Sequence, residues 1–378
     1  MGSSRRGRAA DRQGLLVGIM KNGENGKEAA LMETGERAQA PLRVERGMSV
    51  GVPRALMFYK YYPFLKTFLE GCGYEVLASP PTNIKILGSG TDVCVDDICV
   101  AVKVLFGHVR YLEDKADVVL IPRLVSVEKR DYDTFTCPKL IAAPDMIRYT
   151  FSHLPASLEF TVDIGKAPWW WSCLRLGMSL GVPLRKMAGA YLAAMRELAR
   201  YQALLRRGFL PPEALGRLEG KGPAFPPNLV RGDVTVAVVG HPYLIGDPLI
   251  NKRLLHWLDA CGARVLSSTM LSEEEILREE RRLPPLSWSY EKELLAAASH
   301  FTRRRDVDGV IYLTSFGCGP DSMITEMVRH ELDHGRDGAL LEMVLDEHSA
   351  ESGVRTRVEA FVDMLRYHKS KACVRGGT

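Results

Sequence analysis

The chain reads as an α/β protein: two duplicated parallel-sheet domains, a helical connection, and a cleft between them. Three observations predict this. Compared with itself at an offset of 189, the sequence repeats. Gly51-Val-Pro53 matches Gly240-His-Pro242, Leu65 and Leu69 match Leu254 and Leu258, and Cys72-Gly73-x-x-Val76-Leu77-x-Ser79 matches Cys261-Gly262-x-x-Val265-Leu266-x-Ser268. Short apolar runs alternate with helix-period stretches, which is the pattern of βαβ units and hence of parallel sheets. Each copy opens as strand, Pro-containing loop, amphipathic helix, helix-ending glycine and second strand. The expected topology is Rossmann-, flavodoxin- or chelatase-like.

Taken in order, residues 1–46 are rich in Gly, Arg, Glu and Ala without a sustained period, and are expected to form a disordered extension. Met48, just before the first convincing strand, is a candidate for the true start. The first α/β domain spans 47–187. After its βαβ opening it carries a helix over Cys99–Leu112 and strands at Val118–Ile121 and Leu140–Ala143. A helical, basic and then Pro-rich linker occupies 188–228. The second domain spans 229–370: it repeats the opening, then carries strands at Val310–Leu313 and Leu340–Leu345.

At 378 residues the chain is long enough for two or three cores, and 46% hydrophobic with 25% charged residues excludes disordered and fibrous classes. The net charge of +4 is concentrated at the start. Residues 1–46 hold nine Lys/Arg against six Asp/Glu, leaving 41 against 40 elsewhere, so the folded body lacks a nucleic-acid footprint. No apolar run approaches a membrane span and no secretory signal is present, which places the protein in the cytoplasm. Eight cysteines in such a chain argue for metal or redox use of some of them. None form a Cys-x-x-Cys pair, so a metal site must be assembled from distant segments.

The most informative segment is Ile311-Tyr-Leu-Thr-Ser-Phe-Gly-Cys-Gly-Pro-Asp-Ser322, where Cys318 stands between two glycines at a strand-to-helix junction. Pro320 suits a first helical turn and Asp321 adds the acid favoured there. A helix N-terminus stabilises a thiolate or an anionic cluster, although a buried structural cysteine fits the same pattern. Cys99 is a second thiol at a helix start, and Cys137 precedes Pro138 in a loop between two predicted strands. Ligands in parallel sheets gather beyond the carboxyl ends of strands, so Cys99, Cys137 and Cys318 are placed to face one cleft. Cys72 and Cys261 stand at matching helix ends beside glycine and read as packing residues. Cys94 is either a further thiol near the site or a strand residue, and Cys173 and Cys373 have no supporting context.

Other candidates follow the same positional logic. Asp346-Glu-His-Ser-Ala-Glu351 follows an apolar run. There Glu347 and His348 are candidates for moving protons, and Arg355 and Arg357 for holding an anion, against the alternative of a solvated loop. His241, Tyr243, Asp247 and Asn251 lie beyond a strand, with His241 and Asn251 as candidate ligand contacts; Asp247-Pro248 is equally a helix start. His108 fits a core histidine. Trp169-Trp-Trp171 is expected to divide between core and surface, and the runs at Arg206-Arg207 and Arg303-Arg-Arg305 read as solvated faces.

Several motifs together resemble a known family: Gly51-Val-Pro-Arg-Ala-Leu-Met-Phe-Tyr, Ser79-Pro-Pro-Thr-Asn83, Val95-Asp-Asp-Ile-Cys-Val-Ala-Val-Lys103, Pro122-Arg-Leu-Val-Ser-Val-Glu128, Thr136-Cys-Pro-Lys139, the Cys318 segment and Leu345-Asp-Glu-His-Ser-Ala-Glu-Ser-Gly-Val-Arg-Thr-Arg357. Across about residues 48–368 the chain resembles the activase-associated relatives of the 2-hydroxyacyl-CoA dehydratase and benzoyl-CoA reductase iron–sulfur subunits. The resemblance implies a four-iron cluster on three cysteines with one iron left open, carried over to Cys99, Cys137 and Cys318. Some members carry a fused double cluster, for which six matching ligands are not assembled here. It also implies low-potential electrons from a separate ATP-dependent activator, a small or CoA-linked acyl substrate, and a homodimer or heterodimer. The sequence itself shows no Walker A pattern or other nucleotide loop.

Three functions stay open on this reading: an iron–sulfur reductase or dehydratase component, a non-catalytic electron-transfer scaffold, and a two-domain binding protein without redox work.

Overall fold

The computed structural model describes residues 47–151, 154, 156–226, 232–333 and 339–375. The expected extension 1–46, the last two residues of the expected linker and the side chain of Cys373 lie outside these. The first sheet contains β1 (Ser49–Val52), β2 (Glu75–Ala78), β3 (Val118–Ser126) and β4 (Ser157–Asp163), in the order β2-β1-β3-β4. The second contains β5 (Thr235–Val239), β6 (Arg264–Ser267), β7 (Gly309–Ser315) and β8 (Ala339–Leu345), in the order β6-β5-β7-β8. Every strand pair in both is parallel.

The duplication is carried through to the backbone. β2 and β6 are offset by the repeat length of 189, and Gly73 and Gly262, at the same offset, both end helices with positive φ, +97° and +70°. Only glycine takes that turn without strain. The paired serines do the same work: Ser79 Oγ accepts the Arg54 N–H at 2.8 Å, and Ser268 Oγ donates to the Gly240 carbonyl at 3.0 Å. Each fastens the end of its sheet's first strand to the end of the second.

Helices cover the sheets because their apolar faces have nowhere else to go. In the first half these are α1 (Phe58–Cys72), α2 (Ile84–Thr91), α3 (Val100–Leu112), α4 (Pro138–Thr150), α5 (Trp169–Ser179), α6 (Leu184–Arg206) and α7 (Pro211–Leu218). The helical part of the expected linker is therefore mostly α6, which lies along α1, whose face of Phe64, Leu65, Phe68 and Leu69 is buried. Each such side chain contributes roughly 1.5–3 kcal/mol of transfer free energy. Trp169 packs on Phe64 and Phe160 while Trp170 and Trp171 stay exposed, so the tryptophan run divides as expected. α2 and α3 touch backbone to backbone at Gly90 and Gly107, where a Cβ would strike the Lys103 and Ile86 carbonyls.

One element differs from expectation. Leu140–Ala143 is the first half of α4, not a strand, and the fourth strand is β4. A four-residue apolar run does not reveal its period. In place, Leu140, Ala143, Pro144 and Ile147 are buried at helical spacing, and Pro138 occupies the first turn. β4, Ser-Leu-Glu-Phe-Thr-Val-Asp, buries alternate residues as a strand should.

The second half adds α8 (Pro242–Gly246), α9 (Leu254–Ala260), a 3₁₀ turn at Ser268–Met270, α10 (Glu273–Glu280), α11 (Ser289–Arg303), α12 (Gly319–Asp333) and α13 (Glu351–Arg375). A single apolar cluster runs through both halves, joining Val119, Ile121 and Leu105 to Val236, Leu244 and Ile311. Among the described residues no helix is long and apolar enough to cross a membrane.

Candidate metal centre

The three singled-out thiols share one local geometry. Cys99 and Cys137 are the N-cap residues of α3 and α4, Cys99 with extended backbone, and neither cap is closed by a side chain. Cys318 immediately precedes α12. Each cysteine's carbonyl accepts the first i+4 helical bond: Lys103 N–H to Cys99, Ile141 N–H to Cys137 and Ser322 N–H to Cys318, at 3.3, 3.2 and 3.2 Å. Each sulfur thus sits where first-turn amides and the helix dipole favour negative charge. The Lys139 and Asp321 amides, in the first turns of α4 and α12, oppose the rise that burial imposes on the Cys137 and Cys318 thiols.

The loops that carry these thiols meet. A Cβ on Gly317 would stand 3.1 Å from the Asp97 carbonyl and 3.5 Å from the Cys99 nitrogen, so the Cys318 turn rests on the start of α3. Gly317 has φ +73°, a conformation that suits glycine. The third loop is tied in by Lys139, whose Nζ donates to the Gly317 carbonyl at 2.8 Å. Cys99 and Cys318 are 6% and 5% exposed, and Cys137 is half-buried. Burial pushes the Cys318 thiol well up, with Asp321, Cys99 and Cys137 adding to the rise. Burial likewise raises Cys137, against the Lys139 amide, with Cys99 among the smaller contributors.

Three thiols on neighbouring helix starts are the kind of donor set that would hold an iron–sulfur cluster. Among the described residues, one set of three His, Cys, Asp or Glu groups has ligand atoms all within 4.8 Å of one another, and it is His241, Glu291 and Asp321. The three thiols form no such set. A cluster spreads its thiolates over different irons, so its ligands stand further apart than those of one ion. Thiols on three separate helix starts, half-buried or buried, suit that arrangement.

Around the thiols, ionic and polar pairs close the seam between the halves. Lys103, 3% exposed inside the apolar α3, donates to the Asp96 carbonyl at 2.8 Å and to Glu347. Lys292 pairs with Glu128, Lys60 with Glu293, and the Tyr61 and Tyr290 hydroxyls lie 3.0 Å apart. The Thr82 hydroxyl donates to Asp247 and lies 3.0 Å from His108 Nε2. Burial lowers the His108 pKa to about 3, with Arg54 adding, so its ring is a neutral core group as expected.

The remaining candidates divide. Glu347 joins the centre's rim through Lys103. Burial alone would raise its pKa, but the Lys103 hydrogen bond and charge, its own backbone amide and His348 together hold it down. His348 is solvent-exposed, 3.7 Å from Glu347. Arg355 lies over the Trp257 ring at 4.9 Å and pairs with Glu359 at 2.7 Å, and Arg357 donates to the Glu342 carbonyl. Asn251 is buried with both amide N–H groups engaged, at 3.0 Å each, by the Leu244 and Ile245 carbonyls that end α8. It has no donor free for an anion. His241 is buried, with Nε2 3.2 Å from Asp321 and 3.9 Å from Glu291. Burial would lower its pKa, but the Asp321 carboxylate, with Glu291 and Glu293 adding, raises it. Cys72 and Cys173 are buried thiols, pushed by burial to about 11 and 12. Burial likewise raises the half-buried Cys94 to about 12, with Lys103 opposing and Cys99 adding.

Lys103, Lys139, Glu128, Glu291 and Lys292 are not singled out by the sequence reading. Lys103 carried a signal, a charge within Val100-Ala-Val-Lys-Val-Leu-Phe106, and Lys139 another, two residues after Cys137. Glu291 and Lys292 lie in Ser-Tyr-Glu-Lys-Glu-Leu-Leu, which is indistinguishable from an ordinary amphipathic helix.

Two family models match the chain. One, the CoA enzyme activase uncharacterised domain (DUF2229), matches residues 49–271 and contains Cys99 and Cys137. The other, the 2-hydroxyglutaryl-CoA dehydratase D-component, matches residues 243–365 and contains Cys318. No curated protein matches the chain. Since the first match covers more than half of the 378 residues and the second continues it through the last strand and into the last helix, the chain belongs to the CoA enzyme activase uncharacterised domain family and is a dehydratase-component-like relative of the 2-hydroxyacyl-CoA dehydratases.

Proposed function

We propose that the protein is an iron–sulfur component in which Cys99, Cys137 and Cys318 hold a four-iron cluster, and that it takes low-potential electrons from a separate ATP-dependent activator. The observation that carries this reading is the meeting of three thiol-bearing helix starts: Gly317 rests on Cys99, and Lys139 bonds Gly317. Such a cluster supplies one-electron chemistry and an iron with room for a substrate oxygen. The chain's own contribution is electrostatic. First-turn amides offset the negative charge of the thiolates, those of Lys139 and Asp321 favour the charged form of Cys137 and Cys318, and the apolar flanks of α3 and β7 limit water. Both matched families are named for CoA enzymes, which supports a small CoA-linked acyl substrate. His348, exposed at the rim, is assigned proton transfer, and Arg355 and Arg357 the outer anion contact. Cytoplasmic location and assembly as a homodimer or heterodimer belong to the same proposal.

A second reading has its own support. Glu347 is committed to Lys103, so the carboxylate beside His348 serves the seam. This favours an electron-transfer scaffold over a catalytic component.

The test begins with anaerobic purification, reconstitution with ferrous iron and sulfide, and iron and sulfide counts with absorption and electron paramagnetic resonance (EPR) spectra. Cys99→Ser, Cys137→Ser and Cys318→Ser should each lower cluster content. Full cluster in all three variants, or none in the parent, would overturn the assignment. Turnover of an acyl-CoA with activator and reductant then separates the catalytic reading from the scaffold.

A further inference from the structure

Next to the thiols lies a group of side chains that the cluster does not use. His241, Glu291 and Asp321 come from the loop after β5, the first turn of α11 and the first turn of α12. Their exposures are 2%, 1% and 0%, and their ligand atoms all lie within 4.8 Å of one another. Two carboxylates buried this deeply need a positive partner or a proton. Among the described residues, His241 is the sole basic side chain within 4.0 Å of either.

A second observation points to a ligand. Glu291 Oε2, Asp321 Oδ2, His241 Nδ1 and the Tyr312 hydroxyl are buried without a hydrogen-bond partner. Tyr312 is 0% exposed and lies within electrostatic range of Asp321 and Glu291. Buried polar groups are nearly always partnered, so several in one place mark a site that a ligand completes. The ring of His241 is held by stacking on Tyr243, with centroids 4.9 Å apart and planes 14° apart. Its orientation therefore does not depend on a bond to Nδ1.

We infer that His241, Glu291 and Asp321 form a binding site for one divalent first-row cation of the Mn²⁺, Fe²⁺ or Zn²⁺ class, distinct from the thiol centre. Mixed imidazole and carboxylate donors select that class over thiolate-seeking ions. Two ligands each about 2.1 Å from a tetrahedral ion lie about 3.4 Å apart. His241 Nε2 stands 3.2 Å from Asp321 and 3.9 Å from Glu291, so small adjustments suffice. Three protein ligands leave the ion a coordination position to fill. A cavity of about 170 Å³ lined by Lys60, His241, Thr269, Tyr290 and Glu293 borders the group on the His241 side.

The probe is Mn²⁺, which binds thiolates poorly, followed by loss of the free-ion EPR signal in the full chain. The parent should bind one Mn²⁺ tightly. His241→Ala and the isosteric Glu291→Gln should weaken it at least about tenfold, while Cys99→Ser should not. Circular dichroism verifies folding, and Glu291→Gln carries the test if His241→Ala does not fold. Equal uptake by parent and Glu291→Gln, or by neither, would overturn the inference. Iron and sulfide counts on the same preparations report the thiol cluster separately, so either assignment fails without the other.

Discussion

Glu347 and Lys103 join residues 244 positions apart, and removing one partner tests how the centre's rim is held. Lys103 is 3% exposed, and its ammonium has two acceptors, the Asp96 carbonyl and Glu347. Glu347→Ala leaves a buried cation with one neutral acceptor. Breaking a buried pair from one side costs about 3–5 kcal/mol. Lys103→Met should cost less, about 1–2 kcal/mol, because the Glu347 side chain is 13% exposed and its carboxylate can turn to water. The double variant Lys103→Met/Glu347→Ala should therefore lose less than the two singles together, by about 1–3 kcal/mol. The assay is anaerobic urea unfolding at matched iron content, comparing midpoints at constant slope.

The pH dependence follows from the sign of the shift. Glu347 is held below its ordinary value of 4.5 in the folded chain, so its contribution is complete above about pH 4.5 and is lost as pH falls through the folded value. The stability gap between the parent and Glu347→Gln should be constant near neutrality and shrink only in acid. A Glu347→Ala variant as stable as the parent at pH 7, additive singles, or a gap that shrinks on going alkaline would each refute the reasoning.

Gly317→Ala places a Cβ at φ +73° and 3.1 Å from the Asp97 carbonyl, and should cost about 1–2 kcal/mol by urea midpoint while loosening the Cys99–Cys318 contact. Cys72→Ala and Cys261→Ala should leave iron content unchanged and cost about 1 kcal/mol each, as packing residues do; a lost chromophore in either would make it a ligand. His348→Ala should slow turnover and leave the cluster spectrum intact, its ring being exposed and away from the thiols' backbone contacts; unchanged turnover with an active parent would remove it from the mechanism.

Much of the fold was legible because it is local and repeated. Glycine ends for two helices at a 189-residue offset, a strand-then-Pro opening and apolar runs bounded by turns are written within windows of some 20 residues, and they predict parallel sheets directly. Leu140–Ala143 failed because four apolar residues carry no period; the burial at 140, 143, 144 and 147 that makes them helical becomes visible only against β3 and β4. β4 carries a strand's alternation in Ser-Leu-Glu-Phe-Thr-Val-Asp. At the site, helix starts at Cys99 and Cys318 were readable from Gly, Pro and the apolar period that follows. Which loops touch was not.

That division has a physical origin. Helix caps and strands are decided by residues a few positions apart, whereas the centre is decided by pairs such as Lys139 with Gly317, Thr82 with Asp247 and Lys292 with Glu128, separated by 178, 165 and 164 positions. Neither half holds the thiol set alone, since Cys99 and Cys137 belong to the first and Cys318 to the second. The same is true of the charge balance, because Lys103 inside α3 is neutralised by a carboxylate that follows β8. The apolar cluster common to both halves supplies the force that closes the seam, and the buried pairs fix its register, since a slip would strand a charge in the core. A cluster ligated across such a seam would be bound only by the closed chain, so metal content and seam stability should rise and fall together.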